Sequence, residues 1–231
     1  MNNHTRWHQR SNAEEIAHSA VHWILLKAQE AISHHGVFKI LLAGGTTPKR
    51  IYEILAEQSQ EWSYWQIYIG DERCLNANDQ ERNSLMIKQA WLNKVDFPME
   101  NFHPINAEQG AGQAAKEYAQ LIKPVLPFDI SLLGIGEDGH TASLFPGHEY
   151  NEHELVHAIS NSPKPPSERV SLSKKALFQS LKLVVLVAGA GKQTAVKQWQ
   201  AGDELPIAQI DALNGIDVLI DNDAQVNSSK K

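Results

Sequence analysis

Short, almost uninterrupted Val/Ile/Leu runs recur along this chain, each followed by a stretch whose apolar residues have helical spacing. Runs of that kind suit strands buried on both faces. Strands so buried and separated by helices build a parallel sheet covered on each side. The runs predict strands over 37–43, 66–70, 102–105, 128–134, 181–188 and 216–220, the fifth being the strongest. The periodicity predicts helices over 12–34, 47–58, 81–92, 108–123 and 191–199, with Pro48 suited to a first turn. The expected fold class is α/β, with a mostly parallel sheet. Ligands in such folds sit outside the carboxyl ends of the strands, so the residues just after strands are where chemistry is sought.

Composition narrows the class. The 231 residues, 42% hydrophobic and 21% charged, suffice for a single domain over 1–231 with its own core. Residues 221–231 are polar and expected to be a flexible tail. One cysteine, Cys74, rules out an internal disulfide framework and fits a reducing, cytoplasmic setting. No apolar run approaches the ~18 residues of a membrane span, and the polar start carries no secretory signal. A net charge of −6 with no basic tract disfavours duplex nucleic acid as a partner. Any anionic ligand must be held by a local cluster working against the global charge. The stretch 162–166 (Ser-Pro-Lys-Pro-Pro) reads as a surface loop.

Five segments stand out, four of them directly after strands. Ala43-Gly44-Gly45-Thr46-Thr47-Pro48 offers close backbone approach, two hydroxyls and the N–H groups of a starting helix, an anion-binding combination. The same turn also reads as a plain strand–helix connection with a Thr cap. Gly70-Asp71-Glu72-Arg73 sets three charges at a strand end. Arg73 could grip an anion bidentately, or Asp71 could simply cap a helix. The run 134–147 (GIGEDGHTASLFPG) carries three glycines within six residues and a carboxylate two residues before a histidine. His140 can act as a base near neutral pH, and Asp138 can fix its tautomer or charge. Arg169, in Pro-Pro-Ser-Glu-Arg-Val-Ser, and Lys192, after the strongest strand, are each ordinary surface charges when taken singly. Together with the Gly-Gly-Thr-Thr turn they could neutralise a phosphate dianion.

These segments, in this order, resemble the 6-phosphogluconolactonase branch of the family that also contains glucosamine-6-phosphate isomerase/deaminase. The resemblance runs from about residue 38 to about residue 221. It implies a Rossmann-like three-layer α/β/α sandwich, similar to the glucosamine-6-phosphate isomerase and ribose-5-phosphate isomerase-like fold. The implied activity is hydrolysis of 6-phospho-D-glucono-1,5-lactone to 6-phosphogluconate in the oxidative pentose phosphate pathway, with no cofactor and no metal. The resemblance gives phosphate binding to Gly44, Gly45, Thr46, Thr47, Arg169 and Lys192. It makes His140 the base and places Asp71, Arg73 and Asp138 around the lactone ring. The expected partner is a sugar-phosphate lactone, with no nucleic acid and no membrane, and the chain is expected to be a monomer or small homo-oligomer. The chain departs from the family at Ala43 and Thr46, where Ser is more usual, and at Arg82-Asn83, where Ser-Asn is usual. Arg82 is therefore assigned no role.

The expected chemistry is attack of a His140-activated water on C1, with Arg73 or backbone N–H groups stabilising the oxyanion. A Ser143 nucleophile is the rival chemistry, although no Gly-x-Ser-x-Gly elbow surrounds it. Two other functions compete. A glucosamine-6-phosphate isomerase/deaminase should carry Asn-Glu-Pro after the histidine loop, but here Leu144-Phe145-Pro146-Gly147 has no carboxylate until Glu149. A non-catalytic sugar-phosphate sensor should carry a DNA-binding unit, but the residues before the first predicted strand read as one amphipathic helix. The pairs His18/His22 and His153/His157 have the i,i+4 spacing of helical metal ligands, without the Cys or Glu partners expected. His34-His35 reads as a helix end, where imidazole suits the dipole.

Overall fold

The computed structural model describes residues 5–225. In chain order the strands are β1 (Thr5–Arg10), β2 (Phe38–Leu42), β3 (Trp65–Ile69), β4 (Asp71–Arg73), β5 (Phe102–His103), β6 (Ile130–Gly134), β7 (Val156–Ile159), β8 (Arg169–Leu172), β9 (Leu183–Val187) and β10 (Ile216–Asp221). The α-helices are α1 (Ala13–His35), α2 (Thr46–Leu55), α3 (Asn83–Ala90), α4 (Ala111–Ile122), α5 (Lys174–Phe178) and α6 (Gln193–Ala201).

Seven strands form one sheet in the order β1-β10-β9-β6-β2-β3-β5, every neighbouring pair parallel. The central strands are apolar because both faces are covered. All five residues of β9 (LVVLV) are buried. Each such side chain contributes about 1.5–3 kcal/mol on leaving water. The connections β1–α1–β2 and β2–α2–β3 run toward the β5 edge, whereas β9–α6–β10 runs toward the β1 edge. Right-handed crossovers therefore put α1 and α2 on one face, where they pack together, and α6 on the other. The expected α/β sandwich is the one observed.

Local signals account for the longest helix. Asn12 caps α1 by accepting from the Glu15 N–H at 3.0 Å, and Glu15 accepts from the Ser11 N–H at 2.9 Å. Gly36, at φ 79°, ends the helix in the left-handed region. His34 and His35 occupy its last turn as expected, and His35 also meets Asp129 at 3.0 Å.

Two elements depart from the sequence expectation. The first is β1, which lies in a segment read only as a polar start. It joins the sheet edge parallel to β10, where Arg6 and His8 reach the carboxylate of Asp217 at 2.9 and 2.7 Å and Trp7 packs on Trp199 at 4.9 Å. The second is a separate antiparallel sheet, β4-β8-β7, with α4 packed against β7 and β8. The tail expected to be flexible over 221–231 starts as packed structure. Asp221 ends β10 and accepts from the N–H groups of Gly189 and Ala224, and Ala224 is fully buried. Residues 226–231 of that expectation lie outside the described residues.

Candidate active site

The sheet order reverses between β2 and β6. From β2 the chain builds outward through β3 to β5, and from β6 it builds the other way through β9 to β10. These two neighbours pair through Ile40–Ile130 and Leu41–Ser131, so their carboxyl ends open side by side into one crevice. A cleft of ≈ 370 Å³ lies there. Ala43, Gly44 and Gly45 line it from the β2 end, and the 134–142 loop lines it from the β6 end. Asp71, Arg73, Asn83, Lys164, Arg169 and Lys192 complete the wall.

The β6 loop turns tightly. The Gly136 N–H donates to the His140 carbonyl at 2.7 Å and the Gly139 N–H to that of Gly136 at 3.0 Å. Gly139 has φ 80°, a conformation glycine adopts without penalty. Gly136 is needed for a different reason, because a Cβ there would overlap the His140 ring and come within 2.5 Å of Asp138 Oδ1. The ring of His140 thus lies directly on backbone, its Nδ1 hydrogen-bonded to Oδ1 of Asp138. With Nδ1–H donating to the carboxylate, Nε2 is the ring's acceptor. Burial holds the imidazole below its ordinary pKa, against the opposing pull of Asp138. Burial likewise works against charge on Asp138, but the hydrogen bonds and charge of His140, with the charge of Lys164, together outweigh it and the carboxyl lies below its usual range. The His140 ring packs on Phe145, tilted by 35° with ring centroids 4.9 Å apart.

Asp71 lies beneath the cleft, 8% exposed. Burial raises its pKa, and the Ser143 hydroxyl, donating to Oδ2 at 2.6 Å, opposes that rise. Asn83 Nδ2 donates to the Asp71 carbonyl at 2.9 Å and packs against Gly44, where a Cβ would collide with it. Ser143 is fully buried and committed to Asp71, so it is not presented to the cleft as a nucleophile. Glu72 is also fully buried. It accepts from the N–H groups of Arg73, Asn83 and Ser84 at 2.8–2.9 Å and pairs with Arg82 Nε at 3.0 Å. Arg82 donates further to Leu75, Ile105 and Glu108.

The residues expected to hold an anion meet at the cleft with one exception. Gly44 and Gly45 face the cleft, but the hydroxyl-bearing Thr46 and Thr47 do not line it, and Thr46 is exposed. They are the first residues of α2, which no side chain caps. Pro48 has no N–H, so the amides of Thr46 and Thr47 are what this helix end can offer. Arg73 and Arg169 stand directly opposite each other in the β4–β8 pairing. Lys192 follows β9 in the 3-10 turn Ala190–Lys192, half-buried, with burial lowering its pKa and Glu137 opposing. Arg169 donates to the carbonyls of Lys164, Pro165 and Pro166 at 2.9–3.2 Å and lies over the Phe145 ring.

Sequence reasoning missed Lys164, which reaches the cleft because Arg169 ties down the Pro-rich loop, and left Asn83 and Glu137 without roles. It also misplaced one histidine pair. His153 lies in a turn and His157 in β7, so they share no helix face. His18 pairs with Glu14 on α1. Among the described residues no three His, Cys, Asp or Glu side chains converge as metal ligands, and no helix is long and apolar enough to cross a membrane.

Residues 11–219 match the family of glucosamine-6-phosphate isomerases/6-phosphogluconolactonase. The chain belongs to this family. It is 34% identical over 185 residues to a 6-phosphogluconolactonase from Nostoc, covering 76% of each chain. It is 32% identical over 224 residues to 6-phosphogluconolactonase 3 from Saccharomyces cerevisiae, covering 89% of each. The crystal structure of a 6-phosphogluconolactonase from Thermotoga maritima superposes with a TM-score of 0.87 at 26% identity, covering 94% of this chain and all of that one.

Proposed function

We propose that this chain hydrolyses 6-phospho-D-glucono-1,5-lactone to 6-phospho-D-gluconate, the lactone-opening step of the oxidative pentose phosphate pathway, by a water that His140 activates. The carrying observation is the His140–Asp138 pair. A half-buried imidazole has one nitrogen fixed by a carboxylate and the other available as a base, in a cleft whose far side is an uncapped helix start with cations around it. The relatives named above carry the same activity in their names.

In this reading Nε2 of His140 takes a proton from water as the oxygen attacks C1. A positioned base of this kind is worth roughly 10²–10⁴-fold. Arg73 and the N–H groups of the glycine loop stabilise the tetrahedral oxyanion. The imidazolium then returns its proton to the ring oxygen as the C1–O bond breaks, so the base is regenerated and one water is consumed. Asp138 orients the imidazole and supports its transient charge, and Asp71 shapes the pocket floor with Asn83 and Ser143. The phosphate binds Gly44, Gly45 and the amides of Thr46 and Thr47, neutralised by Lys192 and Arg169. That remote grip fixes C1 against the base. The substrate is a reactive ester, so this machinery suffices without a covalent intermediate.

The test is acid release from freshly prepared 6-phosphogluconolactone, corrected for spontaneous opening. Wild type should accelerate it, and His140→Ala should lose orders of magnitude in kcat with KM little changed. Near-normal turnover by His140→Ala would remove His140 from the reaction. Ammonia release from glucosamine 6-phosphate without lactone opening would replace the reading by the deaminase one.

A further inference from the structure

Four cations line the cleft, and three of them, Arg73, Arg169 and Lys192, sit in or immediately beside regular elements. Lys164 alone arrives on an irregular segment, and that segment is held at several points. Arg169 Nη2 donates to the carbonyls of Lys164 and Pro165 at 3.1 and 2.9 Å, and its Nε to that of Pro166 at 3.2 Å. Ser162 closes the same turn, its Oγ donating to the Lys164 carbonyl at 2.7 Å and accepting from the Lys164 N–H at 3.2 Å. The Lys164 backbone is thereby fixed, and its Nζ comes within 3.7 Å of Asp138 Oδ1. That oxygen is the one bound to His140 Nδ1. One carboxylate oxygen therefore serves an imidazole and an ammonium at once.

We infer that Lys164 is a positioning residue that keeps His140 in its neutral, proton-accepting form, and that Arg169 acts on His140 through the loop it clasps. The inference rests on the reading of His140 as the base. Its logic is charge balance. Asp138 and Asp71 both favour a protonated imidazole. Arg73, Glu137, Arg169 and Lys192 share the cleft wall with Asp71 and His140. Lys164 opposes protonation twice over, by repelling imidazolium directly and by drawing on the charge of Asp138. Without it, the carboxylate that orients the ring would also tend to hold a proton on it. Arg169 is suited to the clasp because its rigid, planar guanidinium aims Nε and Nη2 together at three carbonyls, whereas the donors of an ammonium share one nitrogen at the end of a flexible stem.

The test is NMR titration of the His140 ring in the intact protein, a readout independent of turnover. Lys164→Gln should raise the His140 pKa by about 0.5 or more. Arg169→Lys, which keeps the charge but loses the clasp, should move it the same way, and adding it to Lys164→Gln should move it no further. The acid limb of kcat/KM should shift to higher pH in parallel. An unshifted ring in Lys164→Gln overturns the inference, and an unshifted ring in Arg169→Lys overturns the clasp. Should wild type fail to open the lactone, the proposed reaction falls while the titration still reports on Lys164.

Discussion

The ring of His140 occupies the space that a side chain at Gly136 would fill. Their contact sets how deeply the imidazole sits, because the loop folds back until the ring rests on backbone. Gly136→Ala should therefore displace His140 and Asp138 together. Turnover should fall about 10²-fold or more, toward the full value of a positioned base. Gly136 does not have positive φ, so the melting temperature should change little compared with the activity. Lactone hydrolysis and a thermal melt on one preparation would check both halves.

Asp138→Asn should move the pH profile in the opposite direction from Lys164→Gln. Asp138 raises the His140 pKa against burial, so its neutralisation lets the pKa fall further below the ordinary histidine value. A base with a lowered pKa stays deprotonated to lower pH, so the acid limb of kcat/KM should shift downward. The plateau should drop as well, because the carboxylate no longer fixes the tautomer. Rates measured from pH 4 to 8 would show whether limb and plateau move as stated.

Ser143→Ala separates scaffold from nucleophile. Its hydroxyl holds Asp71, and losing one such bond costs about 1–3 kcal/mol when the partner stays buried. Stability should fall by that order, while kcat stays within about tenfold of wild type. A collapse of kcat matching that of His140→Ala would reinstate covalent catalysis.

Asp217→Asn tests the edge of the sheet. The carboxylate holds Arg6, His8 and Lys182, with Arg6 and Lys182 at 2.9 and 2.8 Å. Burial opposes its charge, but the bonds from Arg6, Lys182 and His8 prevail and hold its pKa well below the carboxylate range. A lowered folded-state pKa gives stability that is complete above the unfolded value near pH 4 and is lost as pH falls through the folded one. The variant should lose about 1–3 kcal/mol near neutral pH, and less as acid is added. Hydrogen exchange at the β1 amides should quicken first.

How much of this was legible depended on which physical signal carried each part. β2, β6 and β9 announced themselves because strands covered on both faces must be apolar throughout, and the site followed from where such strands end. β1 gave no such signal. Thr-Arg-Trp-His-Gln-Arg is polar because it lies at an edge, and its stability comes from Asp217 and Trp199, both about two hundred residues away in sequence. The sheet β4-β8-β7 is made of strands of three or four residues, too short for a period to show. Arg82 and Arg73 look alike in sequence, yet one is consumed by Glu72, Leu75, Ile105 and Glu108 and the other faces the cleft. Lys164 was hidden for the same reason, since it sits on a Pro-rich loop whose place at the cleft is fixed by bonds from Ser162 and Arg169. Thr46 and Thr47 begin α2 without lining the cleft, so the hydroxyls expected as anion donors are not presented to it.

The facing of Arg73 and Arg169 across β4 and β8 has a thermodynamic consequence. Like charges placed opposite one another on neighbouring strands weaken the pairing they sit on. On the proposed reading an anion held at Arg169 offsets part of that repulsion, so ligand affinity and resistance to heat draw on one common source. Inorganic phosphate should therefore raise the melting temperature above that in chloride at equal ionic strength.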